Sequence, residues 1–332
     1  MQLHDFTKSP VIDAIFRYHK QKGDSEQTRG YLGMSEIGHP CSRYLWFKFR
    51  NCIKSNISGR VYRLFETGNL AEQRFIEELK AIGCEVHDRD EQGDQFSCND
   101  FGGHFSGHMD GCAKGLPGVG ATFHVLEFKT HNDKSFTKLS KEGVKAAKPQ
   151  HYCQCQCYMH YSGMTRALYL AVNKNDESLY AQRVHYNKEE ALDLASRAKQ
   201  IIAATEPPPR ITDRPDYYEC KWCDAHDICW GCEKALPLPV ISCKQCCYAT
   251  PILEGDEALW RCERSKREMC NIVCGNACAD HLCLPGLFPY AEPTDYTDGM
   301  ICFKNKDDGK EWQHGGLCYS TKELMERTRE EL

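Results

Sequence analysis

Leu126-Glu127-Phe128-Lys129, together with Gly107-His108-Met109-Asp110-Gly111 upstream of it, is the stretch whose reading decides the fold. Residues two apart on a strand share a face, so Glu127 and Lys129 point to the same side. Asp110 closes an earlier strand-like segment. Pairing of the two segments sets one acid from each near the sheet edge, with the lysine beside them. Two carboxylates and the Phe128 carbonyl make a hard oxygen site of the kind that Mg²⁺ or Mn²⁺ takes. A metal held there lowers the pKa of a bound water and neutralises charge on a phosphate, while Lys129 orients the water or stabilises the transition state. The plain alternative has weight: Glu-x-Lys on a strand is most often a solvated cross-strand pair, and Asp-Gly most often only a turn.

The surroundings set this stretch in a mixed α/β core. Segments near 84–88, 94–98, 103–110 and 122–130 are short and bounded by Gly, Asn or Asp, a strand-and-turn pattern. Pro149 opens a helix through His160, residues 165–173 and 178–186 read as a strand pair, and 188–204 as another helix. Upstream, Ser9-Pro10 reads as an N-cap and first helical position, followed by Val11, Ile12, Ile15, Phe16 and His19 at helical spacing. Residues 42–49 form a short aromatic-rich helix after Cys41. A longer amphipathic helix runs from about Val61 to Ile82. On the 149–160 helix, Gln154 and Tyr158 lie four apart and so share a face. That face carries an amide and a phenol toward the same cleft, to meet a phosphate or the attacking water.

Composition narrows the class. The chain has 332 residues, more than a usual single domain, and a globular hydrophobic fraction of 41%. A formal net charge of −5 gives no global basic signature, which argues against a protein coating long stretches of nucleic acid non-specifically. It does not argue against an enzyme whose metals neutralise phosphates. The outlier is the count of 22 cysteines. Met1 to Lys20 has no apolar signal core, and no stretch approaches the roughly 18 apolar residues that span a membrane. Metal binding in a reducing cytoplasm is therefore expected, rather than disulfides or a membrane. Cys52, Cys84, Cys98 and Cys112 stand alone and read as small buried apolar residues.

Two sets stand out among the remaining cysteines. Cys220-x-x-Cys223 and Cys229, with the distant Cys41, supply four soft thiolates suited to either [4Fe–4S] or zinc. Spacing does not choose between them, Cys232 is an available substitute, and Trp222 and Trp230 read as packing around the site. Glu206-Pro207-Pro208-Pro209 ends the core before this cluster, and Leu236–Pro239 reads as a second linker. A module from Ser242 to about Pro285 follows, with Cys243-x-x-Cys246, Cys262 and Cys278-x-x-His281 at a spacing that suits a zinc ribbon. Cys247, Cys270, Cys274 and Cys283 leave more candidates than ligand places. Arg261, Arg264, Lys266 and Arg267 within it suit phosphates weakly. A strand near Met300–Phe303 and a terminal helix opened by Ser320, with Glu323 completing a capping box, close the chain. No nucleotide-binding Gly-x-x-x-x-Gly-Lys-Ser/Thr is present, so the chain is not itself a helicase motor.

Asp110, Glu127-Phe128-Lys129 and Gln154-x-x-x-Tyr158 resemble the PD-(D/E)XK nuclease superfamily, in its RecB-like and lambda-exonuclease-like branch. The resemblance covers roughly residues 30–232 and implies a restriction-endonuclease-like core, a central mixed sheet flanked by helices. It implies a further metal ligand on a preceding helix after a glycine. Glu66-Thr67-Gly68-Asn69-Leu70-Ala71-Glu72 offers Glu72, where many relatives carry histidine. One distant cysteine plus Cys-x2-Cys-x5-Cys is similar to the iron–sulfur staple of AddB-type helicase–nucleases and of the CRISPR-adaptation RecB-like nucleases. That likeness favours [4Fe–4S] over zinc for Cys41, Cys220, Cys223 and Cys229.

The expectation is thus a nuclease domain over 1–232 closed by the cluster, and a zinc-binding module over 233–332. The implied activity is a Mg²⁺- or Mn²⁺-dependent deoxyribonuclease, an exonuclease serving recombination, repair or replication. Its implied partners are single- or double-stranded DNA ends and a single-strand-binding or recombination protein. Its compact layout resembles stand-alone nucleases of bacteriophages, which act in the bacterial host cytoplasm. The alternative from another class is a catalytically silent nuclease-fold protein that inhibits or recruits a DNA-processing partner. Retention of Asp110, Glu127 and Lys129 together argues against it.

Overall fold

The computed structural model describes residues 9–25, 29–275 and 277–332. In chain order the elements begin with α1 (Pro10–Ser25), β1 (Leu32–Gly33), α2 (Ser42–Phe49), α3 (Gly59–Ala81), β2 (Glu85–His87), β3 (Ser97–Asp100) and β4 (Phe105–His108). There follow β5 (Gly111–Lys114), β6 (His124–His131), α4 (Asp133–Ala147), α5 (Pro149–Ser162), β7 (Arg166–Asn173), β8 (Leu179–His185) and α6 (Lys188–Ala203). The remainder holds α7 (Tyr218–Lys221), α8 (His226–Trp230), β9 (Ala249–Pro251), β10 (Trp260–Cys262), β11 (Arg267–Met269), α9 (Asn271–Cys274), β12 (Ala291–Thr297), β13 (Met300–Asn305), β14 (Glu311–Gly315) and α10 (Thr321–Glu326). The chain divides into two compact units. One comprises Met1–Arg29, Asn56–Cys98 and Gly107–Leu194, the other Gly30–Ser55, Asn99–Ser106 and Ala195–Leu332.

The first unit is built on a five-stranded sheet ordered β2-β5-β6-β7-β8. β6 and β7 run parallel while the other neighbours are antiparallel, so the sheet is mixed. Alternation along β6 and β7 gives it two chemically distinct faces. Leu126, Phe128, Leu168, Leu170 and Val172 pack with Phe75 and Leu79 of α3, and the Phe75 and Phe128 rings lie 5.2 Å apart. Glu127, Lys129 and His131 occupy the opposite face, toward α4 and α5. Ser58 caps α3 by accepting the Val61 N–H at 3.4 Å, and Asn132 caps α4 by accepting that of Ser135 at 2.9 Å. α5 starts on Pro149 and ends on a left-handed Gly163, the preferred residues at those two places.

One of these elements departs from the expectation, and another lies where none was expected. The segment 103–110 does not pair with 122–130. Its strand β4 belongs to a three-stranded sheet ordered β1-β4-β3, with Leu32 opposite Phe105. The neighbour of β6 is instead the short β5, Gly111 standing opposite Leu126. Asp110 therefore leads into the strand beside Glu127 rather than ending the one before it. The unexpected element is α4, a lysine-rich helix interrupted at Gly143, whose φ of 75° and ψ of 171° are not helical.

In the second unit α2 buries Leu45, Trp46, Phe47 and Phe49. Arg50 is also fully buried; it lies over the Trp46 and Trp260 rings and donates to the carbonyls of Ala204 and Lys244 at 2.7 and 3.0 Å. Two small sheets follow, β11-β10-β9 and β12-β13-β14. The expected linker at Leu236–Pro239 is part of this core: Ala235, Leu236 and Leu238 are buried, and Ala235 donates its N–H to the Arg327 carbonyl at 3.0 Å. Ser320 and Glu323 form the expected capping box on α10. Cys52, Cys84 and Cys98 are buried as expected, and Cys112 half-buried. Among the described residues no helix is long and apolar enough to cross a membrane.

Candidate active site and two cysteine clusters

Glu127 is the structural anomaly of the first unit. Its side chain is 0% exposed, and its Oε2 has no hydrogen-bond partner among the described residues. Its contact is with the Lys129 ammonium, which lies against Oε1. A buried carboxylate so poorly solvated resists ionisation. Burial, with Asp110 and Glu72 adding to it, pushes Glu127 up to about 8 against the pull of Lys129.

Asp110 is tied to the same strand, its Oδ2 accepting the Phe128 N–H at 2.8 Å. Burial raises its pKa as well, opposed by Lys129 and by that N–H. The next residue makes this approach feasible: Gly111 has φ +144°, and a Cβ there would meet the His87 carbonyl oxygen at 2.7 Å. Glu72, in the middle of α3, is an electrostatic neighbour of both Asp110 and Lys129. Burial first, then Asp110, pushes it up to about 7. Lys129 donates from Nζ to the Phe128 carbonyl at 3.0 Å. Burial works against its charge, but the Glu127, Asp110 and Glu72 carboxylates outweigh it and hold the ammonium protonated.

Glu72, Asp110, Glu127 and the Phe128 carbonyl thus gather around a lone ammonium. Among the described residues Lys129 is the cation that acts on these three carboxyls, and all three are held above their usual range, by burial first, with Asp110 adding at Glu72, and Asp110 and Glu72 adding at Glu127. A divalent cation is the chemical match for such an oxygen set. Among the described residues, though, no three His, Cys, Asp or Glu side chains already converge as a metal cage. Lys129 lies on Glu127 instead.

Gln154 and Tyr158 do share a face, and Gln154 Nε2 donates to the Tyr158 hydroxyl at 3.2 Å. Their exposure differs from the expectation. At 6% and 2% exposed they are buried behind Glu127, because α5 lays this face on the sheet, and they do not present an amide and a phenol to a phosphate. A neighbouring network went unread in the sequence. The Tyr169 hydroxyl lies 3.0 Å from His131 Nε2 and 2.8 Å from His151 Nδ1. Ser135 Oγ lies 3.1 Å from His131 Nδ1 and accepts from Lys148 Nζ at 2.5 Å. The signals were present: His131 is two residues beyond Lys129 on one strand face, and His151 three before Gln154 on one helix face.

In the second unit Cys41, Cys220, Cys223 and Cys229 line one apolar cavity with Arg43, Tyr44, Phe47 and Trp230. Cys41 is the N-cap of α2 and accepts the Tyr44 N–H at 3.3 Å. The Arg43 guanidinium is an electrostatic neighbour of Cys229 and Cys41. Cys232 is not in this wall; its sulfur lies 3.8 Å from the Lys234 carbonyl. Trp222, expected to pack around the cluster, is 82% exposed, so only Trp230 does so.

The later cysteines sort by hydrogen-bond direction. Cys246 Sγ accepts from the Leu282 N–H at 3.5 Å, and Cys262 Sγ from that of Ser265 at 3.5 Å. Burial works upward on Cys262, yet the Ser265 and Arg264 groups bring its thiol below the ordinary value. Cys243 has Cys246, Cys278 and Cys262 as electrostatic neighbours. Cys247 instead donates to the Cys283 carbonyl at 3.3 Å, as a thiol. His281 has both ring nitrogens engaged, Nδ1 with Thr321 Oγ1 and Nε2 with the Ser242 carbonyl, each at 2.9 Å. The structure does not bring it to the cysteines as a free ligand. Arg264 lies within ion-pair distance of Asp280 and Asp298, and Lys266 of Glu263, so part of the basic run is locally neutralised.

No protein-family model matches the chain, and no curated relative matches it. Among solved structures, the crystal structure of SSO0001 is similar at 13% identity and a TM-score of 0.39, over 68% of this chain and 98% of that one. An alkaline exonuclease from Laribacter hongkongensis is similar at 13% identity and a TM-score of 0.36, over 56% of this chain and 91% of that one. Its complex with dAMP gives 14% identity and a TM-score of 0.37, over 57% and 91%. Likeness at this level says nothing of activity, which has to be argued from the residues.

Proposed function

We propose that this chain is a metal-dependent nuclease that hydrolyses phosphodiester bonds in DNA, as an exonuclease acting at ends. The observation that carries the reading is the fully buried Glu127, one oxygen on the Lys129 ammonium and the other without a hydrogen-bond partner among the described residues, beside Asp110 and Glu72. A carboxylate left so is costly unless a cation completes it. Glu72, Asp110, Glu127 and the Phe128 carbonyl are the residues that would hold Mg²⁺ or Mn²⁺. When bound, the metal supplies an acidified water and charge neutralisation at the scissile phosphate. Lys129, released from Glu127, orients that water and balances charge on the phosphate oxygens. Gln154 and Tyr158 hold α5 against the carboxylate strand. Such machinery serves DNA recombination, repair or replication.

The two cysteine sets support companion proposals. Cys41, Cys220, Cys223 and Cys229 fit a [4Fe–4S] cluster of structural role. The four sulfurs line one cavity, and the Arg43 guanidinium beside them would offset part of the cluster's negative charge. Cys243, Cys246, Cys262 and Cys278 fit structural zinc, with His281 outside the ligand set. The proposed boundary between nuclease domain and zinc module stays at 232/233.

Anaerobically purified protein incubated with end-labelled linear and circular DNA, with Mg²⁺, with Mn²⁺ or with chelator, tests the activity. A metal-dependent product from linear DNA alone is expected. Absence of any metal-dependent product overturns the enzyme reading in favour of a silent binding protein. Cutting of circles makes the enzyme an endonuclease, and cutting of parallel RNA substrates in place of DNA makes it a ribonuclease.

A further inference from the structure

The hydrogen-bonded chain through Tyr169 has a direction. Lys148 is an ammonium and can only donate, so Ser135 Oγ accepts from it at 2.5 Å. The single Ser135 hydroxyl proton then goes to His131 Nδ1, 3.1 Å away. A neutral His131 with Nδ1 as acceptor carries its proton on Nε2 and donates it to the Tyr169 hydroxyl at 3.0 Å. The Tyr169 proton in turn goes to His151 Nδ1 at 2.8 Å, which leaves the His151 proton on Nε2. Ser135 and Tyr169 can each also accept two bonds, so this direction is the one in which both hydroxyl protons are donated along the chain.

The histidines are held neutral. Burial, then Lys148, Lys129 and Lys174, brings His131 down to about 4. Burial, then Lys129, His131 and Lys148, brings His151 down to about 3. His151 is half-buried, in contrast to Gln154 and Tyr158 on the same helix face, and its Nε2 has no partner among the described residues. It stands in the first turn of the 14-residue α5, beside Lys129. A helix start and two lysines make this an environment for an anion.

We propose that the His151 Nε2–H donates to a phosphate oxygen of the bound nucleic acid, and that Lys148, Ser135, His131 and Tyr169 are positioning residues that keep it in that tautomer. The inference rests on the nuclease reading and names a substrate contact for it. A neutral donor suits the place, because a third cation beside Lys129 and Lys148 would be repelled by them, whereas N–H adds a directed bond without charge.

Nitrogen-15 NMR of the imidazoles in the full chain reads the tautomer. His151 is expected as Nε2–H, and Lys148→Met or Ser135→Ala is expected to move it toward a mixture. Adding a short DNA duplex with Mg²⁺ to Lys129→Ala protein is expected to shift the His151 Nε2 resonance. In cutting assays His151→Ala and Tyr169→Phe are expected to lose about tenfold, and His151→Gln, which keeps an N–H donor, to recover most of it. An Nδ1–H tautomer, or an Nε2 resonance that DNA leaves unmoved, overturns the proposal. So does wild-type cutting by His151→Ala alongside loss of cutting by Lys129→Ala, an outcome that leaves the nuclease reading standing. If the wild type does not cut, that reading fails while tautomer and DNA-induced shift still decide the role of His151.

Discussion

Glu127, His314 and His281 make the same point about single residues: a buried polar atom has its chemistry set by which partners it has. Both nitrogens of His281 are bonded, so it does not serve as a metal ligand, although its spacing from Cys278 suggested one. His281→Ala is accordingly expected to retain zinc in metal analysis, and loss of the metal would restore histidine to the ligand set. His314 is buried, accepts the Cys283 N–H at Nε2 and donates from Nδ1 to the Tyr319 carbonyl, both at 2.8 Å. Burial brings it down to about 4. A folded pKa below the unfolded value of about 6.5 means that the unfolded chain binds the extra proton first. Its contribution is therefore complete above that value and lost as pH falls through the folded one, on the order of 3 kcal/mol in all. The stability difference between wild type and His314→Gln, measured by denaturant titration at pH 7 and at 4.5, is expected to shrink at the lower pH. A constant difference would contradict the assignment.

Among elements, the strand β6 and the helices α3 and α5 were legible because their periodicity is strong and their caps conventional: Ser58, Pro149 and Gly163 mark boundaries that polymer sterics prefer. Asp110 was correctly associated with Glu127, but through the wrong strand. A four-residue β5 entered from Asp110-Gly111 has too few positions to show alternation. α4 was hidden by its lysines and by Gly143, and the Leu236–Pro239 segment by its prolines, which say nothing of burial. The His131–Tyr169–His151 chain was illegible because it joins a strand, a helix and a second strand that only the tertiary fold brings together. Gly111 is where element geometry governs the site. Gly111→Ala would force a Cβ against the His87 carbonyl at an unfavourable φ. It is expected to cost about 1–3 kcal/mol and to weaken Mn²⁺ binding, because Asp110 is the preceding residue. Calorimetry of folding and of Mn²⁺ titration checks both; unchanged affinity would show that Asp110 is placed by other contacts.

For the whole molecule, the outlier of composition is the 22 cysteines, eight of which make up the two proposed ligand sets. Cys41, Cys246 and Cys262, all in the two proposed ligand sets, accept N–H bonds, while Cys52, Cys84, Cys98 and Cys283 are buried. Iron, sulfide and zinc analysis of anaerobic protein is expected to give about four irons with one zinc. Two zincs and no iron would reassign the Cys41 set to zinc. In the proposed reading neither cysteine set supplies the hydrolytic chemistry, which falls to the carboxylate strand of the first unit.

The most direct test of that chemistry is the single-turnover cutting rate of one end-labelled linear duplex in Mg²⁺, compared across wild type, Asp110→Asn, Glu127→Gln and Lys129→Ala with folding verified for each. The account predicts that each variant loses at least about 10²-fold, since each removes a ligand or the charge-balancing ammonium. A wild type that cuts, with Lys129→Ala or Glu127→Gln cutting as fast, would contradict it.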